Sequence, residues 1–189
     1  MATHIALLRG VNVGGVKVAM SDLRAIVAGL GHENVSTYIQ SGNVLFSTGR
    51  TDTAAMAAEL EQAIGAALGI QVRVLVLSRA ELEQAVRNNP YPGEQNPRAL
   101  HAVFLAGEPA PERQQAVAAA QQAAAEKGSR DTARYVGRVL YLHTPDGFGR
   151  SELAARLARG SGPLAPGETA TARNWATVTK LLALAAEAG

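Results

Sequence analysis

Hydrophobic and polar positions in the first half of the chain change between a helical period and a strict alternation. Apolar residues three and four positions apart follow Ser21 and stop before Gly31, a pattern that predicts a capped helix. Apolar residues at alternate positions flank Ser41-Gly42 and predict a β-hairpin with that pair as its turn. The predicted elements are, in order, a strand at 5–8, a helix at 21–30, hairpin strands at 35–39 and 44–46, a helix at 52–68, a strand at 71–77 and a helix opened by a capping box of Ser78 and Glu81.

A similar order of elements returns after a segment rich in proline, asparagine and glycine. That segment, residues 88–99, separates two periodic regions and is typical of a linker. A fourth strand is evident only in the first half. The elements predicted beyond the linker are a strand at 100–106, a helix between Pro109 and Gly128, strands at 131–136 and 139–143, a helix from about 151 and a last helix that begins within 173–182.

Element order predicts the fold class. Right-handed crossovers place a strand, a helix, a hairpin and a second helix as an antiparallel sheet with both helices on one face, the ferredoxin-like arrangement. We therefore predict an α+β protein of two ferredoxin-like halves, residues 1–87 and 100–189, joined by the linker at 88–99. The halves share no obvious sequence identity, so an internal duplication rests on element order alone.

The loop after the first strand, RGVNVGGVK at 9–17, contains the glycines that phosphate-binding motifs use. Gly10 and Gly15 have the Walker A spacing, but Val16 stands where that motif needs its lysine, and the Rossmann pattern is absent. Valines at alternate positions on both sides of Gly14-Gly15 instead predict a small β-ribbon with the glycines at its turn. No cofactor is expected from these motifs.

Topology gives this loop a second polar segment as a neighbour. In a ferredoxin-like half the first strand ends at the same sheet edge as the hairpin turn, so residues 9–17 and 40–43 are predicted to converge. Glycine N–H groups and two cations there suit a phosphate or a carboxylate. The alternative is that the asparagines satisfy turn backbone while the cations face water. The candidate ligand-binding residues at this edge are Arg9, Asn12, Gly14, Gly15, Lys17, Gln40, Ser41, Gly42 and Asn43.

Two further candidates lie in the second half. Arg150 and Ser151 stand at a predicted helix start, where anions bind, although an ordinary N-cap by Ser151 explains the same residues. Arg173 and Asn174 stand at the predicted first turn of the last helix, where an arginine opposes the helix dipole and needs a reason.

Metal chemistry and nucleophilic catalysis lack their usual patterns. The four histidines are far apart and in no metal-ligand spacing, so no metal is expected. His101 and His143 lie on predicted strands that could bring them together, yet no carboxylate can be matched to them for a triad. The catalytic residues, if there are any, are therefore left open.

Composition limits the partner classes. The 189 residues are 47% hydrophobic and 18% charged with a net charge of +2, the balance of a globular protein, and the absence of cysteine excludes disulfides and thiolate zinc sites. No apolar run is long enough for a membrane span, and we predict a cytoplasmic protein. At 4% aromatic residues, the base-stacking strands of an RNA-recognition module are lacking, which argues against sequence-specific binding of nucleic acid.

Seven stretches together resemble the bacterial family called domain of unknown function 1697, in the right order over essentially the whole chain. The resemblance implies two ferredoxin-like α+β halves and, because the family has no established activity, no catalytic residues. The stretches are RGVNVGG, KVAMSDLR, TYIQSGNVLF, NNPY, LHAVFL, HTPDGFGRS and RNWATVTKLL.

Two functions follow as hypotheses of different classes. The first is a protein that binds a small anionic molecule at the convergent loops. The alternative is a non-catalytic interaction module, such as a homodimer that pairs through exposed strands or through the ribbon.

Overall fold

The computed structural model describes residues 1–165 and 168–187. Its contacts divide the chain into two units, the first formed by Met1–Gln84 with the chain from Lys180 onward, and the second by Ala85–Thr179. The predicted division into residues 1–87, a linker at 88–99 and residues 100–189 stays a prediction. No helix among the described residues is long and apolar enough to cross a membrane.

The first unit is built on a four-stranded sheet. The strand order is β2-β3-β1-β4, with every neighbouring pair antiparallel. Its elements are β1 (His4–Leu8), α1 (Met20–Gly29), β2 (Glu33–Tyr38), β3 (Asn43–Ser47), α2 (Thr53–Leu68) and β4 (Val74–Ser78), and α3 (Arg79–Arg87) follows directly.

Alternate strand residues of the first sheet form a core with the helices. Ala6 and Leu8 of β1 face the same side as Val44 and Phe46 of β3, because successive strand residues point to opposite faces. Both α1 and α2 pack their apolar stripes on this side, with Leu23, Val27, Leu60 and Ile64 fully buried. The helices therefore cover one face of the sheet, as predicted.

The second unit repeats the arrangement. Its sheet has the order β6-β7-β5-β8, again antiparallel throughout. Val103, Leu140 and Leu142 of this sheet pack against α4 and α5. The elements are β5 (Leu100–Phe104), α4 (Pro111–Ala125), β6 (Thr132–Val136), β7 (Val139–His143), a 3₁₀ turn at Phe148–Arg150, α5 (Glu152–Leu157) and β8 (Thr171–Asn174). The last helix, α6 (Trp175–Glu187), begins in the second unit, and its residues from Lys180 onward belong to the first.

The fold class is thus confirmed: the protein is α+β with two ferredoxin-like sheets. The sheets differ from the predicted elements in two places. The second sheet does have a fourth strand, because β8 pairs with β5 from Thr171 opposite Phe104 to Asn174 opposite His101. The hairpin turn of the first sheet is not two residues long but covers 39–42, since β2 ends at Tyr38 and β3 begins at Asn43.

The capping box at the start of α3 forms as predicted. The Ser78 N–H donates to Glu81 Oε2 at 2.8 Å, and the Glu81 N–H donates to Ser78 Oγ at 3.2 Å. These two bonds satisfy N–H groups that a helix start otherwise leaves without partners.

Candidate functional site

The loop between β1 and α1, residues 9–19, contains no strand, so the predicted β-ribbon was wrong. Gly10 and Asn12, which a ribbon would place on its first strand, have positive φ angles of 71° and 56°, which a strand does not allow, whereas positive φ at Gly14 and Gly15 is compatible with a turn. One ribbon-like bond remains, from the Asn12 N–H to the Val16 carbonyl at 2.6 Å. The loop is instead held together through a side chain.

Asn12 is that side chain. Its Nδ2 donates to the carbonyls of Gln40 at 2.5 Å and Val18 at 3.1 Å, while its Oδ1 accepts from the Val18 N–H at 3.0 Å. Asparagine also tolerates the left-handed φ of 56° better than most residues. Asn12 therefore closes its own loop and ties that loop to the hairpin turn.

The hairpin turn meets the first strand at Gly42. The Leu8 N–H donates to the Gly42 carbonyl at 2.8 Å, and Gly42 is buried. A Cβ built on Gly42 would lie 2.6 Å from Val11 Cγ2 and 2.7 Å from Leu8 Cβ, with φ at +77°. Only glycine lets the two segments approach this closely. Residues 9–19 and 39–43 thus converge at one end of the first sheet, and we name them together the loop edge.

The loop edge exposes backbone donors beside positive charge. Gly14 and Gly15 are exposed, and within residues 1–165 and 168–187 their N–H groups donate no hydrogen bond. Lys17 is exposed two positions later, and the half-buried Arg9 follows β1, where its N–H donates to the Arg73 carbonyl at 2.9 Å. These donors and cations are the groups that an incoming anion could meet.

The remaining polar candidates at the loop edge serve the hairpin. Asn43 is fully buried, and its Nδ2 donates to the Tyr38 carbonyl at 3.0 Å and to Ser41 Oγ at 2.9 Å. Gln40 contributes its carbonyl to Asn12, and its side chain is exposed. The amide of Asn43 therefore fixes the shape of the turn, as the alternative interpretation of the asparagines expects.

Arg150 and Ser151 lie before α5 in the second unit. Ser151 is buried and caps α5: its Oγ accepts from the Ala154 N–H at 2.8 Å and donates to Asp131 Oδ2 at 2.8 Å. The Asp131 carboxylate also accepts from Ser129 Oγ at 2.7 Å. Arg150 is exposed at the end of the 3₁₀ turn. The Ser151 hydroxyl is thus engaged in a structural network.

Arg173 and Asn174 lie on β8 and not, as predicted, in the first turn of the last helix. Arg173 is buried, and its guanidinium donates to Thr171 Oγ1 and to the Ala172 carbonyl, both at 2.8 Å. Burial lowers the pKa of Arg173 to about 10. Asn174 caps α6 by accepting from the Thr177 N–H at 2.9 Å. Arg173 therefore lies on a strand, two positions before the first residue of α6, and its guanidinium bonds within that strand.

His101 and His143 do not form a pair. The His101 ring packs 4.3 Å from the Phe148 ring, whereas His143 Nε2 lies 2.6 Å from Glu94 Oε2 and its ring stacks on Tyr91 at 5.0 Å. Hydrogen bonds from the Asn96 N–H and from His143 lower the pKa of Glu94. Sequence analysis missed this carboxylate because it lies in the predicted linker. Among the described residues no three histidine or acidic side chains gather as a metal site.

Removing the Asn12 side chain is expected to loosen the loop edge. Asn12→Ala deletes three hydrogen bonds and leaves the partly buried Val18 groups without partners, so we expect the free energy of unfolding to fall by about 2 kcal/mol. Urea unfolding followed by circular dichroism measures the change. Asn34→Ala is the matched control, since Asn34 also has a positive φ but makes one long bond of 3.4 Å to Ser47. Equal losses in both variants would contradict the assigned role.

Comparison with known proteins identifies a family and a fold. The family model described as protein of unknown function (DUF1697) matches residues 1–141. The solved structure of conserved bacterial protein SP0830 from Streptococcus pneumoniae is similar, with a TM-score of 0.70 and 21% identity, over 97% of this chain and 98% of that one. No curated protein matches the chain. At this identity the likeness supports the fold alone.

Proposed function

The chain belongs to DUF1697, a family of proteins of unknown function, and from that premise we propose that it binds a small anionic ligand, a phosphate or a carboxylate, at the loop edge. The observation that carries the proposal is the pair of exposed glycines, Gly14 and Gly15, whose N–H groups donate no hydrogen bond to the described residues, in a loop whose shape is already held by Asn12. A preformed loop loses little conformational entropy when a ligand binds.

Glycine backbone is suited to this task. Gly14 and Gly15 are successive exposed residues at φ of +62° and +103°, and free backbone amides in such turns are known to bind anions. No Cβ blocks the approach, because open space surrounds both Cα atoms. The site accordingly favours a compact anion that several N–H groups contact at once.

Charge at the loop edge supports an anion over a neutral ligand. Arg9 and Lys17 stand within the same loop, whereas 9–19 contains no acidic residue. Positive charge at a protein surface, here the exposed Lys17 and the half-buried Arg9, raises the local concentration of anions, and salt weakens this attraction. Binding at the loop edge should therefore decline as ionic strength rises.

Titration with inorganic phosphate tests the proposal. In ¹H–¹⁵N NMR spectra at constant ionic strength, we expect phosphate to shift the amide signals of Gly14 and Gly15 in a saturable manner. Lys17→Gln should weaken this binding about fivefold, since one charge-assisted contact is lost. Lys180→Gln, which removes the same charge from an exposed position on α6, should leave the binding unchanged. Unmoved glycine signals at saturating phosphate, or equal weakening in both variants, would refute the proposal.

A second candidate function rests on two apolar side chains at the same loop edge. Val13 is 63% exposed and Ile39 is 48% exposed, and they are two of the three large hydrophobic residues that the described chain leaves this open to water. Ile39 is also held at a φ of +49°, which is strained for a β-branched residue. Exposed apolar side chains of this kind favour a protein partner, including a second copy of this chain. Sedimentation that depends on protein concentration, without phosphate shifts, would favour this candidate.

A further inference from the structure

The second unit contains a cavity of about 570 Å³ that the proposed anion site does not use. It lies between one face of α4, the end of α5 and the turn that follows α5 at 160–163. Cavities of a few hundred cubic ångströms are the usual size for small organic ligands. The loop edge and this cavity share no residue, so the two proposals stand independently.

The apolar walls of the cavity come from small and rigid residues. Ala120 lies three positions after Val117 and four after Ala116 on α4, so all three line one side of the helix, and Leu157 and Pro163 also line the space. Alanines along that face leave room which larger side chains would fill. The cavity is therefore open because these side chains are short, and no side chain has to move before a ligand can enter.

The turn at 160–163 is tightly held. The Gly162 N–H donates to the Arg159 carbonyl at 3.0 Å, and the Leu164 N–H donates to the Leu157 carbonyl at 3.0 Å. A Cβ at Gly162 would collide with that same Leu157 carbonyl, so the turn requires glycine there. This wall of the cavity is therefore preorganised before any ligand arrives.

Three arginines and one carboxylate, that of Glu112, line the cavity, so its charged lining is positive on balance, and the arginines differ in their partners. Arg113 forms a two-pronged pair with Glu168, at 3.1 and 3.0 Å. Arg156 Nε forms an ion pair with Glu152 Oε1 at 3.0 Å, while its two terminal NH₂ groups have no hydrogen-bond partner among the described residues. Arg159 is exposed, and its side chain contacts no carboxylate among the described residues. Two guanidinium groups thus retain donors for an anion at the cavity.

We propose that this cavity binds a small amphipathic carboxylate. Its apolar body packs on Ala116 and Ala120, and its carboxylate accepts hydrogen bonds from Arg156 and Arg159. The apolar walls account for the body, and two incompletely engaged guanidinium groups account for the head group. A neutral ligand of the same shape would use only the walls.

Octanoate and 1-octanol separate the two contributions. In ¹H–¹⁵N NMR titrations of the full chain, we expect octanoate to shift the amides of Ala116 and Ser161 and to bind at least tenfold more tightly than 1-octanol. Arg159→Gln should weaken octanoate about tenfold and leave 1-octanol unchanged, because only the charged contact is lost. Equal affinity for both probes, or no effect of Arg159→Gln, would overturn the proposal.

Two exposed alanines on α4 test whether octanoate binds in the cavity or elsewhere on the protein. Ala116→Leu places a larger side chain in the cavity and should weaken octanoate at least tenfold, whereas Ala118→Leu, on another face of the same helix, should leave its affinity unchanged. Both positions are exposed, so both variants are expected to fold, which the dispersion of the NMR spectra verifies. Equal affinity in the two variants would place octanoate elsewhere and overturn the proposal.

Discussion

Replacing Gly42 by alanine is expected to lower the free energy of unfolding by about 3 kcal/mol. Two costs combine at this position. The backbone is held at a φ of +77°, which alone costs an alanine about 1 kcal/mol, and the new methyl group would meet Val11 Cγ2 at 2.6 Å and Leu8 Cβ at 2.7 Å. Leu8 is anchored in the central strand β1, so it cannot yield. Urea unfolding monitored by circular dichroism measures the loss.

Gly14→Ala separates backbone strain from the clash. Gly14 has a similar φ of +62°, but nothing lies within 4 Å of a Cβ built there. We expect this variant to lose only about 1 kcal/mol, the cost of the left-handed backbone. If Gly42→Ala loses no more free energy of unfolding than Gly14→Ala does, the hairpin turn can shift, and the close approach of Gly42 to Leu8 and Val11 does not constrain the fold.

Gly42→Ala is also expected to affect the proposed anion site, because Gly42 supports the loop that forms it. Gly42 accepts the Leu8 N–H bond next to the start of the loop, and Gln40 in the same turn accepts from Asn12. Displacing the turn should therefore disturb the loop that carries Gly14 and Gly15. We interpret the buried glycine as the mechanical support of the loop edge, distinct from the exposed glycines that face the ligand.

The convergence of the two loops could be predicted from the sequence, because it depends only on topology. Hydrophobic periodicity placed the strand near 5–8, the helix after Ser21 and the hairpin, and right-handed crossovers then left one order for the sheet. That order puts the end of β1 beside the turn at 39–42. Whether an anion binds there stays a prediction.

The local shape of the loop could not be predicted, because side-chain hydrogen bonds decide it. Valines alternate on both sides of Gly14-Gly15, which favours a ribbon, yet the Asn12 amide takes the Val18 N–H and carbonyl groups. A side chain that replaces a backbone partner leaves no periodic signal in the sequence.

Strand β8 and the cavity on α4 were missed for a different reason. Four residues, with a buried arginine among them, are too short a strand to show an alternation, and β8 is recognisable only through its pairing with β5. The cavity arises where alanines of α4 face the turn at 160–163, some forty residues later. A contact between segments so far apart in the sequence can be recognised only in a three-dimensional structure.

Acidification is expected to destabilise the protein through His101, by about 2 kcal/mol at pH 5 relative to pH 7. Burial lowers the pKa of His101 from 6.5 to about 4, and its buried Nδ1 has no hydrogen-bond partner among the described residues. The unfolded chain therefore takes up a proton at higher pH than the folded protein does. Neutral His101 contributes fully to the free energy of unfolding above about pH 6.5, and this contribution is lost progressively as the pH falls towards 4.

His101→Leu is the variant that isolates this contribution. Leucine cannot titrate, and it keeps an apolar side chain against the Phe148 ring. Between pH 7 and pH 5 the unchanged protein should lose about 2 kcal/mol more stability than the variant, measured by urea unfolding at each pH. Burial also lowers the pKa values of His4 and His32, but both residues remain in the variant, so their effects cancel in the difference. Parallel stability profiles of the two proteins would show that a proton reaches the folded His101 without cost.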